Sequence, residues 1–142
     1  TWLNLTNKFG KDSRYKFFLF STEMQPSHNF VHVSVKVTIQ NRTAMIDALR
    51  KNGIDVAFLW SICPETFSFT LYEALAAGCY IVTNPASGNI QAYIKAHPAA
   101  GLVVDDEYAL MELFEGNTLV DYIAEHQLQG KKIANLIINH IS

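Results

Sequence analysis

An α/β fold, with a doubly wound, largely parallel sheet of about five strands and helices on both faces, is predicted for residues 1–142 by three features of the sequence. The strand-like segments of the second half are continuously apolar, as expected for strands covered on both faces. They alternate with helical segments, the pattern of βαβ units. Turn residues punctuate the changes, as Asn52-Gly53 does before Ile54.

Taken in order, Tyr15 to Ser21 and Val31 to Val37 are aromatic and β-branched runs of strand character. The connection Thr22 to Phe30 contains Gln25-Pro26-Ser27 and is shorter than the dozen or so residues of a helical crossover. An irregular crossover between parallel strands is expected there, in preference to an antiparallel edge pair. Met45, Ile46 and Leu49 share a helical face that ends at Asn52-Gly53. Strands at Ile54 to Trp60, Tyr80 to Thr83 and Gly101 to Val104 then alternate with helices near Ser68 to Ala77, Asn89 to Ala96 and Asp106 to Glu115. The tail from Leu119 to Ile141 reads as helical, broken at Gln129-Gly130. The expected spatial order of the strands is second, first, third, fourth, fifth.

A chain of 142 residues, 49% of them hydrophobic, suffices for one buried domain and not for two. It begins at Thr1 and ends in a helical pattern, which is expected of a piece of a longer protein. A formal charge of -2 gives no electrostatic footprint for nucleic acid. No apolar run approaches the ~20 residues that span a bilayer, and no basic-then-apolar leader occurs. Any membrane association of a full protein is therefore expected from outside this segment. Cys63 follows one strand and Cys79 opens the next, so they stand at opposite ends of a parallel pair, beyond the ~7 Å reach of a disulfide. Two free thiols are expected, as in a reducing cytoplasm.

The segment that carries chemistry is Glu65-Thr66-Phe67-Ser68-Phe69-Thr70-Leu71-Tyr72-Glu73, followed by Ala74-Leu75-Ala76-Ala77-Gly78. Thr66 and Ser68 are helix N-cap types, so the chain turns from strand to helix there and leaves amide N–H donors without internal partners. Those donors and the positive end of the helix dipole suit a diphosphate. Glu65 precedes the helix and Glu73 lies inside it, which separates the carboxylates by roughly 10 Å at 1.5 Å per residue. That is long for a two-carboxylate hydrolytic pair. It suits a ligand with a diol on either side of a phosphate, since each ionised carboxylate accepts two hydrogen bonds.

This stretch resembles the Glu-x7-Glu motif of retaining GT-B glycosyltransferases, from about Asp55 to Asp105. The resemblance implies a Rossmann-like donor domain in which Glu65 contacts the transferred sugar, Glu73 contacts the ribose, and backbone amides from Thr66 to Phe69 hold the diphosphate. Phe67 matches the family's aromatic, and Ala74, Ala76 and Gly78 its small residues. Ser87-Gly88-Asn89 resembles the turn that forms another edge of the donor pocket. Ser68 stands where the family usually has glycine, Tyr80 where it has proline, and Gln91 where an acid is common.

The functional expectation is the donor-binding half of a glycosyltransferase of polysaccharide biosynthesis. It would move a sugar from a nucleotide-diphosphate donor to an acceptor, with no bound metal or other cofactor. Its acceptor would sit on an N-terminal domain of the same chain. Glu65 is the expected catalytic residue; Thr66, Phe67, Ser68, Phe69, Glu73, Ser87, Gly88 and Asn89 complete the donor site. The alternative is a catalytically silent nucleotide-sugar or scaffold module. A flavodoxin-like domain is a third, poorer match. The remaining polar residues read as structural: Asp105-Asp106-Glu107 as an N-cap, His97 as a loop residue, and His28 and His32 as a pair without a third metal ligand. Phe17, Phe18, Phe20, Phe58 and Trp60 are assigned to the core.

Overall fold

The computed structural model describes residues 1–21, 29–60, 69–125 and 132–136, with Phe69 and the last segment as backbone only. Helices α1 (Trp2–Phe9), α2 (Ala44–Lys51), α3 (Phe69–Ala76), α4 (Asn89–Ala96), α5 (Glu107–Glu115) and α6 (Thr118–Glu125) accompany strands β1 (Lys16–Ser21), β2 (Val31–Ser34), β3 (Val56–Leu59), β4 (Tyr80–Thr83), β5 (Gly101–Val103) and β6 (Lys132–Leu136).

The period of two inside each apolar strand sets the layers. Phe17 and Leu19 of β1, Val56 and Phe58 of β3 and Val82 of β4 join one cluster, with Leu5 and Phe9 of α1, Leu110 and Phe114 of α5, and Leu119 and Ile123 of α6. The intervening residues Phe18, Phe20, Ala57, Leu59 and Ile81 join the other, with Leu49 of α2, Leu71 and Ala74 of α3, and Ile90 and Ile94 of α4. Helices thus cover both faces, which explains the strands' continuous apolarity.

All described strand pairs are parallel. β1 pairs with β2, and β4 lies between β3 and β5; β6 pairs with β1 on one side and β3 on the other, giving the order β2-β1-β6-β3-β4-β5. The parallel pairing of β1 with β2 agrees with an irregular crossover, although residues 22–28 themselves lie outside the described set. The tail is a correction. Its first part is helical as α6, but Lys132–Leu136 is a strand and not a helix. Between β1 and β3 both edges offer backbone donors and acceptors, and pairing with both outweighs the weak helical preference of Lys-Ile-Ala-Asn-Leu. Helix α1 was not predicted; its Leu5 and Phe9, four apart, lie on the core side.

Two residues before β1 hold α5 in place. That helix has no basic residue in its last turn; Arg14 supplies the cation from a distance, donating to the carbonyls of Phe114, Glu115 and Gly116 at 3.1–3.2 Å while pairing with Asp12 at 2.8 Å. The Tyr15 hydroxyl donates to Phe114 O at 2.6 Å.

Gly101 opens β5 opposite Ile81 of its parallel neighbour β4 and against Ile94 of α4. A Cβ there would overlap the carbonyl oxygen of Ile81 and lie 2.9 Å from Ile81 Cβ and Ile94 Cδ1. Gly101→Ala is expected to destabilise the fold by about 1–3 kcal/mol through overpacking, since a backbone oxygen cannot rotate away. Urea denaturation of the variant beside the parent measures it; an unchanged midpoint would show that the β4–β5 spacing relaxes freely.

Candidate functional site

Ligands of open parallel sheets bind beyond the carboxyl ends of the strands. Two strand exits matter here: β3 into α3 and β4 into α4. On the sequence, the ligand cleft is expected at these exits, between Ser61 to Glu65 and Asn84 to Asn89; Ser61 to Glu65 and the motif residues Thr66, Phe67 and Ser68 lie outside the described residues, and Phe69 is described only as the backbone that opens α3.

Glu73 sits in the second turn of α3, half-buried, and burial pushes its carboxyl above the ordinary carboxylate range. Its carboxylate makes no ion pair or hydrogen bond to any described residue. The helix that carries it is fixed on three sides. Leu71 and Ala74 are buried against the sheet, Arg50 Nη2 donates to Ala76 O at 2.7 Å at the helix's carboxyl end, and the Tyr72 ring meets Tyr93 of α4 edge-on at 6.3 Å.

The exit of β4 is built from polar groups that apolar periodicity does not reveal. Thr83 is fully buried, and its Oγ1 donates to Leu59 O at 2.7 Å, locking the carboxyl ends of β3 and β4 together. Asn84 is also buried and leads into a single helical turn at Pro85–Ser87. Ser87 donates to Asn84 O from both its amide, at 3.1 Å, and its hydroxyl, at 2.8 Å. It is fully buried, so Ser87 holds the turn, while Gly88 and Asn89 beside it are partly exposed. Gly88 has φ 62° and ψ -112°, a conformation that a side chain would strain. It lets the chain reverse into α4, whose first residue is Asn89. Gln91 braces the same turn: its amide nitrogen donates to Pro85 O at 3.0 Å while its oxygen accepts from Lys95 Nζ at 3.2 Å. The bridge needs both a donor and an acceptor, which an amide supplies and an ionised carboxylate does not. The sequence marks Asn84 to Asn89 as an edge of the expected cleft but not Thr83, whose available signal is a polar residue closing the apolar run Ile81-Val82.

Several other expectations meet the structure directly. Asp106 is the N-cap of α5 and accepts from Ala109 N at 2.8 Å. His97 follows α4 as its C-cap and stacks on Tyr93 at 4.2 Å. His32, the second residue of β2, lies within 2.9 Å of the hydroxyl of Ser21, the last residue of β1, through Nε2; His28 is outside the described residues. No group of three metal-ligating side chains occurs among the described residues. Cys79 is a buried free thiol, its pKa pushed up to about 12 by burial and by Asp55, while Cys63 is outside the described set. Phe17, Phe18, Phe20 and Phe58 are core residues, and Trp60 is partly buried against the cluster that holds Phe17 and Phe58. No helix among the described residues is long and apolar enough to cross a membrane.

The raised pKa of Glu73 has a consequence for stability. The folded state holds the carboxyl proton more tightly than the unfolded chain does, so stability falls as pH rises from the ordinary carboxylate pKa through the folded one. Glu73→Gln is therefore expected to melt slightly above the parent at neutral pH and to match it below both pKa values. Thermal melts at the two pH values decide this, and a variant less stable at neutral pH would mean that the carboxylate has a stabilising partner.

Comparison with known proteins finds no family model, no curated protein and no solved structure that matches this chain.

Proposed function

We propose that this domain is the Rossmann-like, donor-binding half of a retaining, metal-independent glycosyltransferase, working in the cytoplasm on a nucleotide-diphosphate sugar. The observation that carries the reading is Glu73. A half-buried carboxylate that gains no partner among the described residues is an acceptor left for a ligand, and it stands on the helix that follows the carboxyl end of β3. The Gly88 turn at the neighbouring strand exit leaves backbone unobstructed by a side chain.

In this reading the ribose diol donates to Glu73, the diphosphate lies against the amides opening α3, and the sugar reaches Glu65. Transfer breaks the bond between the anomeric carbon and the diphosphate oxygen and forms one to the acceptor hydroxyl. The acceptor's proton passes to the departing diphosphate. Fixed N–H donors stabilise the charge that develops on that leaving group. The acceptor is proposed to be held by an N-terminal domain of a longer chain.

One observation favours the alternative, a catalytically silent nucleotide-sugar module. No Lys or Arg stands among Trp60, Asn84 to Asn89 or Val104 to Asp106, the described residues at the exits of β3, β4 and β5. Calorimetric titration with nucleotide-diphosphate sugars, the bare nucleotide diphosphate and the free sugar tests the binding claim. Heat with the first two and none with the third is expected, and none with any of them would defeat both readings. Release of free nucleotide diphosphate when the longer chain, with its acceptor-binding domain, is incubated with an acceptor separates an enzyme from a silent module; this domain alone is expected to bind the donor without turning it over.

A further inference from the structure

Three of the six large hydrophobic residues that stand exposed among the described residues fall between Val31 and Ile39: Val31, Val37 and Ile39, the last 80% exposed. They line the outer edge strand β2 and the loop leaving its carboxyl end. That loop is pinned. Thr38 N donates to Asn41 O at 3.2 Å, and Asn41 N returns to Thr38 O and to Thr38 Oγ1, both at 3.1 Å. The turn so closed holds Ile39 and Gln40 at its tip, both exposed.

Charge around the tip is one-sided. Lys36 and Arg42 lie three residues to either side of Ile39, both exposed, and no acid occurs between Glu23 and Asp47 in a chain that is acidic overall. Asp47 itself, the first acid beyond the loop, accepts a hydrogen bond from Thr43 Oγ1 at 2.9 Å. An apolar tip between two cations matches an anionic bilayer surface, where headgroups meet the cations and the acyl boundary takes the isoleucine. A second copy fits less well: an isologous contact through this edge would bring the same two cations together across the two-fold axis.

We propose that the Val37 to Arg42 loop is a membrane-contact element that seats Ile39 in the interface of an anionic lipid bilayer, with Lys36 and Arg42 on the headgroups. This inference is independent of the donor-site reading, and it reverses the expectation that membrane association would arise only outside this segment. Each cation near an anionic surface contributes about fivefold to partitioning, so the contact is weak alone and reversible.

Co-sedimentation of the chain with vesicles of equimolar phosphatidylserine and phosphatidylcholine, and with phosphatidylcholine alone, tests it. Binding to the mixed vesicles that weakens with salt, falls about tenfold in Ile39→Asp and falls ~20-fold or more in the double variant Lys36→Glu/Arg42→Glu is expected. All three side chains are exposed, so folding survives, as circular dichroism would verify. No binding by the parent chain, equal binding to neutral vesicles, or binding unchanged in both variants overturns the proposal. So does concentration-dependent dimerisation without lipid that Ile39→Asp abolishes, since the loop would then be a self-association surface.

Discussion

Phe58→Ala is expected to destabilise the protein by about 3–5 kcal/mol, a large share of the 5–15 kcal/mol typical of a whole domain. Phe58 is 1% exposed at the third position of β3. Its ring stacks on Trp60 at 5.4 Å and on Trp2 of α1 at 5.8 Å. Truncation removes the ring that both indoles rest on and leaves a cavity between the sheet and α1, which neighbouring rigid rings cannot fill. These are the two tryptophans of the sequence, so intrinsic fluorescence reports on this contact directly. Urea unfolding followed by emission should show a lower midpoint, with emission already shifted to the red in the folded variant. An unchanged folded-state spectrum would mean that α1 does not pack on β3 as described.

Replacing the two motif glutamates should divide binding from transfer. Glu73→Gln keeps the volume but exchanges one acceptor oxygen for a donor. One charge-assisted contact to a ribose diol is then lost, about 1.5–3 kcal/mol, or roughly ten- to a hundredfold in donor affinity. Glu65→Gln should lower the transfer rate more than the affinity, because charge develops on the sugar during the reaction. Donor titration and single-turnover transfer on the same preparations of the longer chain, with its acceptor-binding domain, measure the two effects. Glu73 lies on the half-buried side of an anchored helix, so a loss of affinity in a folded variant is a ligand effect. Unchanged affinity and rate in both variants would make the glutamates ordinary helix residues.

Much of the fold and less of the site was legible in the sequence. The bounds of β4 and α4, Tyr80–Thr83 and Asn89–Ala96, follow from an apolar run, a Pro-to-Gly turn and a helical pattern that are all local. Asp106 could be read as a cap because N-capping depends on a side chain and an amide three residues away. At the site, the turn Ser87-Gly88-Asn89 was marked through the resemblance alone, whereas the positive φ of Gly88 and the buried bonds of Thr83 and Ser87 were not legible. Those bonds depend on carbonyls whose position only the assembled strands supply.

The sequence by itself determined that strands and helices alternate, that the strands are buried on both faces, and where most helices start and stop. These are matters of residue periodicity and backbone preference within a few positions. Tertiary structure decided three things that periodicity cannot. It made Lys132–Leu136 a strand, since backbone groups between β1 and β3 are satisfied by an extended segment and not by a helix. It brought Arg14 to the end of α5, about a hundred residues away, because chain ends of helices take whatever donor packing delivers. And it left Glu73 half-buried without a partner among the described residues, a property of the space around the helix and of no motif.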